Sequence, residues 1–176
     1  QNGTNYCWAF GAVRTVEVMR VAQGQKLVYL SPASVAAPIT NYQNVGGWGT
    51  NAMKYIDENG IVPSTMWPDT AINRSYYTAA NRTEAAFYKP LKWWELRPKN
   101  LDQLMSCLLR RIPVAVGYNW WGHEVSACDP VWIDGEIAIR IRNSWGMDWG
   151  SQGFSILQGR RMLPDDAVGP RQVLAS

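Results

Sequence analysis

The chain has 176 residues, 47% of them hydrophobic, enough for one domain with a packed core. Its net charge of +3 is scattered, with only Arg110-Arg111 and Arg160-Arg161 adjacent, so the composition does not point to nucleic acid. No run of 18 apolar residues occurs to span a membrane, and neither a signal peptide nor an initiator Met is present.

In chain order, Ala9, Ala12/Val13, Val16 and Met19 recur at three- and four-residue steps, which predicts a first helix with one apolar face, ending near Gly24. Thr4 or Asn5 is the expected cap. Cys7 falls at the start of this helix, where unpaired N–H groups and a partial positive charge favour thiolate over thiol. Ser31 and Pro32 predict the cap and first residue of a short second helix through Val35. Asn44-Val45-Gly46-Gly47-Trp48 reads as a loop, followed by a helix from Asn51 to about Glu58, capped by Thr50 and stopped by Gly60.

Residues 63–90 show weak periodicity and are expected to be mostly loop. Asn100 and Gln103 form a box-like cap for a further helix, with Leu101, Leu104, Met105 and Leu108 as its apolar stripe and Cys107 packed beside it. After Pro113 the pattern alternates. Strands are expected at 113–118, 124–128, 131–133, 137–142 and 153–157, with Asp134-Gly135 as a tight turn. Helices first and strands later indicate an α+β chain. The segment 164–170 reads as an extended tail that lies on a partner or on the domain surface.

Three segments resemble the papain-like cysteine peptidases (the papain/cathepsin type). They are Gln1-x-x-x-x-x-Cys7-Trp8-Ala9-Phe10, Gly122-His123-Glu124-Val125, and Asn143-Ser144-Trp145-Gly146 followed by Trp149-Gly150 and Gly153-Phe154. The resemblance implies a two-lobed α+β fold, a helical lobe and an antiparallel β-barrel-like lobe with the cleft between them. Residues 1–90 would form the first lobe, carrying the Cys, and 91–176 the second, carrying the His and Asn. The segment that precedes the Gln in the family is expected to be missing, or to belong to a longer polypeptide.

It also implies an endopeptidase in which Cys7 is the nucleophile, His123 the base, Asn143 the orienting group and Gln1 an oxyanion donor. His123 is the single histidine of the chain. Gly46, Gly47, Trp48, Trp121, Gly122, Glu124, Trp145 and Trp149 would contact the substrate, with Trp48, Trp121 and Glu124 around the second-residue pocket. Glu124 stands where the family usually has a small residue, and is expected to narrow that pocket or favour a basic or polar side chain.

Asn143 lies 136 residues after Cys7 (143 − 7), inside the family spacing of about 130–150, but His123 only 116 (123 − 7). The region before His123 must therefore be shortened. The expected partners are peptide or protein substrates, with no cofactor, no metal and no nucleic acid; a larger polypeptide or an assembly through the termini is a further expectation. Thr4 stands where secreted relatives carry a bridging Cys, and three cysteines do not make a disulfide framework. A reducing compartment, or a microbial or viral protein, is expected over a lysosomal or secreted one. The glycosylation sequons at Asn2, Asn73 and Asn81 are read as chance. A papain-like module retired to binding and a cell-wall amidase are the alternatives; the amidase's Asp-Cys-x-x-Phe setting is absent.

Overall fold

The structure is a computed structural model that describes residues 1 and 3–174; the Asn2 sequon lies outside the described residues. Helix α1 (Cys7–Ala22) is the centre of the molecule. It is buried on most of its circumference, not along one stripe: Trp8, Phe10, Val13, Val16 and Met19 are joined inside by Thr15 and Glu17. The cause is enclosure by α2 (Pro32–Ile39) and α3 (Gly49–Asn59) on one side and the sheet on the other. Glu17 is tolerated because its carboxylate accepts the Leu30 N–H at 2.7 Å and pairs with Arg14.

The expected caps of α1 are not used. Tyr6 is the N-cap and offers no side-chain bond. Asn5 and its neighbours are committed elsewhere, in a short ladder: Asn5 N–H donates to Asn44 Oδ1 at 2.7 Å, Asn5 Nδ2 to Asn44 O, and Asn44 Nδ2 to Gly3 O. This fastens the residues before Cys7 to the loop before α3. Ser31 does cap α2, accepting from Ser34 N–H, and the helix runs past Val35 with Pro38 inside it. Thr50 is a first-turn residue of α3, not its cap; Trp48 occupies that position.

The segment 63–90 contains a 3-10 turn, Arg74–Tyr76, and helix α4 (Ala79–Ala85). Asn73 caps the turn, while Asn81 is buried and donates to Tyr76 O at 2.7 Å. Helix α5 (Leu101–Leu109) has the expected Asn100 cap, at 2.9 Å from Gln103 N.

Six strands form one antiparallel sheet: β1 (Pro90–Glu95), β2 (Val114–Tyr118), β3 (His123–Ile133), β4 (Glu136–Arg142), β5 (Phe154–Gln158) and β6 (Asp166–Val173), in the order β1-β6-β2-β3-β4-β5. The two short runs expected at 124–133 are one strand, kept in register with β4 by an irregularity between Ala127 and Asp129. The segment read as a tail is instead an interior strand. β6 pairs β1 on one side and β2 on the other, and Ala167 and Val168 are fully buried. That finding replaces the expectation of an extended tail lying on a partner or on the domain surface.

Candidate active site

Helix α1 delivers Cys7 from its first turn, and the sheet delivers the other groups. His123 is the first residue of β3, opposite Tyr118 of β2. Asn143 follows the last residue of β4, and its N–H is held by Gly153 O at 2.9 Å. The β3–β4 hairpin therefore brings two residues 20 apart in sequence to a 2.8 Å contact between His123 Nε2 and Asn143 Oδ1.

The protonation of that contact follows from a second bond. Ser144 N–H also donates to Asn143 Oδ1 at 2.8 Å. A main-chain N–H can only donate, so the shared atom is the carboxamide oxygen, and Nε2 must carry the hydrogen. Nδ1 is then the ring nitrogen with a lone pair, the one that can take a proton from a thiol. Trp145 stacks on the imidazole at 4.4 Å between centroids and 27° between planes, and Trp121 meets it edge-on at 4.9 Å.

A cavity of about 630 Å³ is lined by Cys7 and His123 together with Gln1, Gly46, Gly47, Trp48, Gly122, Glu124 and Trp145. Trp121 and Trp149 are not on its wall. They pack on each other at 6.2 Å and both touch Trp145. The structure thus gathers nine of the twelve residues picked out from sequence around one space, and leaves Asn143, Trp121 and Trp149 off its wall, Asn143 reaching it through its bond to His123. Gly46 leaves open room, whereas a Cβ on Gly47 would lie 2.6 Å from the Trp8 ring. Gly47 is required by packing against Trp8.

Gln1 is held, not frayed. Its main-chain nitrogen donates to Ser144 O at 2.9 Å, Ser144 Oγ donates to its Oε1, and its Nε2 donates to Thr4 O at 3.2 Å.

The electrostatics differ from the expected low thiol pKa. Burial pushes the Cys7 thiol up, against main-chain groups of Glu124 and Trp8 that pull it down. Burial pulls His123 below its usual 6.5, against the Asn143 bond that raises it. Both shifts favour the neutral thiol and neutral imidazole, and among the described residues no hydrogen bond joins Cys7 to His123. Glu124 does not lie free in the cleft. Its carboxyl is buried, Oε2 accepts from Gly49 N–H at 2.8 Å, and burial followed by the Asp166 charge drives its pKa well up.

The family model described as papain family cysteine protease matches residues 1–129, through Cys7 and His123. The chain belongs to the papain family. Cathepsin L 1 of Paramecium tetraurelia is 28% identical over 90% of this chain and 54% of its own length. Chymopapain of Carica papaya is 25% identical over 90% of this chain and 50% of its own. The chain therefore spans about half the length of these curated relatives. Among solved structures, digestive procathepsin L 3 of Tenebrio molitor superimposes with a TM-score of 0.80 at 20% identity, covering 96% of this chain and 64% of that one. Bromelain of Ananas comosus, in complex with the E64 inhibitor, gives 0.76 at 22% identity, covering 99% and 91%. At those identities the likeness shows the fold, the papain-like α+β fold.

The cleft also contains residues that sequence reading passed over. Gly117, Tyr118 and Asn119 line it from the end of β2, and Asp166 reaches the start of α3. No local pattern marks them, since their partners are remote: Tyr118 bonds Met162 44 residues on, Asn119 bonds Asp165 46 residues on, and Asp166 bonds Thr50 116 residues earlier. Among the described residues no group of three or more His, Cys, Asp or Glu side chains could hold a metal, no helix is long and apolar enough to cross a membrane, and all three cysteines are free.

Proposed function

We propose that the chain is a cysteine endopeptidase that cleaves peptide bonds through a Cys7 acyl-enzyme. The observation that carries this reading is the His123–Asn143 bond, which leaves Nδ1 able to accept a proton in the cavity that Cys7 also lines. Cys7 Sγ attacks the scissile carbonyl carbon while its proton passes to His123 Nδ1. The resulting oxyanion takes hydrogen bonds from the Cys7 N–H, which as a first-turn group has no acceptor within the helix, and from Gln1 Nε2, which keeps one hydrogen beyond the Thr4 bond. Imidazolium then gives its proton to the leaving amine, and water, deprotonated by the same nitrogen, releases the acid.

Because both resting groups favour their neutral forms, His123 works as a general base in the attack, and the ion pair arises with the substrate in place. Trp145 keeps water from one face of the ring. Residues 1–90 and 91–176 act as the two lobes, since α1–α4 end before residue 90 and the six strands run from Pro90 onward. Extended peptide lies along Gly46–Trp48.

Labelling with a peptidyl epoxide, read by mass spectrometry, tests the reading. One equivalent on Cys7, lost in Cys7→Ala and in His123→Ala, is the expected result, together with cleavage of a fluorogenic peptide. A wild-type chain that binds peptide but neither labels nor cleaves would instead be a retired module.

A further inference from the structure

The start of α3 is held by the sheet, from both sides of one glycine. Gly117 on β2 pairs with Glu124 on β3 and with Asp166 on β6. Residues directly opposite in neighbouring strands project from the same face, so the two acids flank a position with no side chain. Both turn to the α3 N-terminus. Glu124 Oε2 accepts from Gly49 N–H at 2.8 Å; Asp166 Oδ2 accepts from Thr50 N–H at 3.2 Å, and Asp166 Oδ1 from Thr50 Oγ1 at 2.5 Å. The space over Gly117 is taken by the Trp48 indole, whose Cε3 would stand 3.6 Å from a Cβ built there.

This arrangement is unusual for a helix cap. A Ser, Thr, Asp or Asn at the position of Trp48 would satisfy the Thr50 N–H locally, though not that of Gly49. Here two acids are drawn together without a cation between them, and Glu124 Oε1 is buried with no hydrogen-bond partner. What the costlier device adds is a connection. Glu124 follows His123 directly, and Gly49 follows Gly46-Gly47-Trp48 directly, so one hydrogen bond ties the imidazole's strand to the opposite wall of the cavity.

We propose that Glu124 and Asp166 are positioning residues that hold the Gly46–Trp48 wall at a fixed distance from His123, so that an extended peptide bound on that wall is presented to Cys7. This rests on the peptidase reading for its purpose. Glu124 serves as a hydrogen-bond acceptor through Oε2, and burial and the neighbouring Asp166 charge both disfavour its anion. Glutamine is therefore its functional substitute.

The test compares Glu124→Ala, Glu124→Gln and Thr50→Val in the full chain, by amide hydrogen exchange over residues 46–50 and by KM and kcat for a fluorogenic peptide. Expected is exchange at least about tenfold faster in Glu124→Ala, with KM up about tenfold and kcat within about threefold, because binding to the wall is lost and chemistry is not. Glu124→Gln should bring both back to within about threefold of wild type. Should Glu124→Ala not fold, Thr50→Val decides, with exchange and KM each up about threefold. Unchanged exchange in the alanine or valine variant overturns the proposal, as does a glutamine variant as impaired as the alanine one. An inactive wild type with protected 46–50 amides would sink the peptidase reading alone.

Discussion

Asn143 accepts two hydrogen bonds on one oxygen, and Asn143→Ala removes both. His123 Nε2–H and Ser144 N–H each lose an acceptor at 2.8 Å, and His123 and Asn143 are each only 7% exposed. A net hydrogen bond is worth about 1 kcal/mol, and a buried donor left without an acceptor costs about 1–3 kcal/mol. Against that, Asn143 Nδ2 is buried with no partner, so its deletion returns part of the loss. The balance is about 1–3 kcal/mol, which urea unfolding at pH 7 would read.

If the same orienting energy is lost from the transition state, kcat/KM falls by about 5- to 150-fold at 1.36 kcal/mol per decade. The pH profile is the sharper measurement. The Asn143 bond raises the His123 pKa against the burial that lowers it, so removing the bond must take the pKa further below 6.5. A base must be unprotonated to act, and the acid limb of kcat/KM therefore moves to lower pH in Asn143→Ala. In Asn143→Asp a carboxylate beside the ring favours imidazolium, and the limb moves to higher pH. An acid limb that stays in place in both variants would show that it belongs to another group and refute the assignment of His123 as general base.

Further outcomes follow from the same contacts. Trp145→Ala uncovers one face of the imidazole, lessening the burial that depresses its pKa, so the acid limb should move up toward 6.5, opposite to Asn143→Ala. Glu17→Ala leaves the Leu30 N–H without its acceptor inside the core and Arg14 with Asp69 alone; unfolding should show a loss of about 2–4 kcal/mol. Gly60→Ala sets a Cβ 1.9 Å from the Ala85 carbonyl oxygen at a φ of +77°, and backbone on both sides cannot yield, so a loss of about 3 kcal/mol or more is expected in thermal unfolding. Glu124 holds its proton above the ordinary 4.5 in the folded chain, so its contribution to stability is full below that pH and is lost as pH rises toward the folded value; Glu124→Gln should flatten the decline, measured as unfolding free energy against pH.

How much of this was visible in the sequence depends on how far apart the interacting residues lie. Cys7 at a helix start, Ser31 and Asn100 as caps and the alternation of 137–142 are local, and the structure has each of them. Helix α4 was missed because it buries only Asn81 and Ala85, too little to print a period. β1 was missed because its Trp93 and Trp94 are both half-buried, so no alternation shows. β6 was read as a tail because Pro164 and Pro170 bracket an acidic pair. Yet Pro170 lies past the β2–β6 pairing, which covers residues 166–168, and its neighbour is Trp93 of β1, beside a register shift.

The bond that Glu124 makes was hidden for the same reason. A glutamate after the histidine in a cleft motif suggests a narrowed pocket or a preference for a basic or polar side chain. Its true partner, the Gly49 N–H, is 75 residues earlier, and Asp166, which reinforces its neutral form, is 42 residues later (166 − 124). The same remoteness explains the thiol. Helix position alone argues for thiolate, and it is correct that Cys7 sits in the first turn of α1. The burial that outweighs it comes from β3 and from the loop before α3 closing over that turn, contacts with no counterpart in the local pattern. Motif residues can therefore be read singly for identity, but the protonation states that decide their chemistry belong to the assembled cleft. The opposed shifts of acid limb expected for Asn143→Ala and Trp145→Ala measure that dependence, since one variant removes a hydrogen bond from the ring and the other removes its cover.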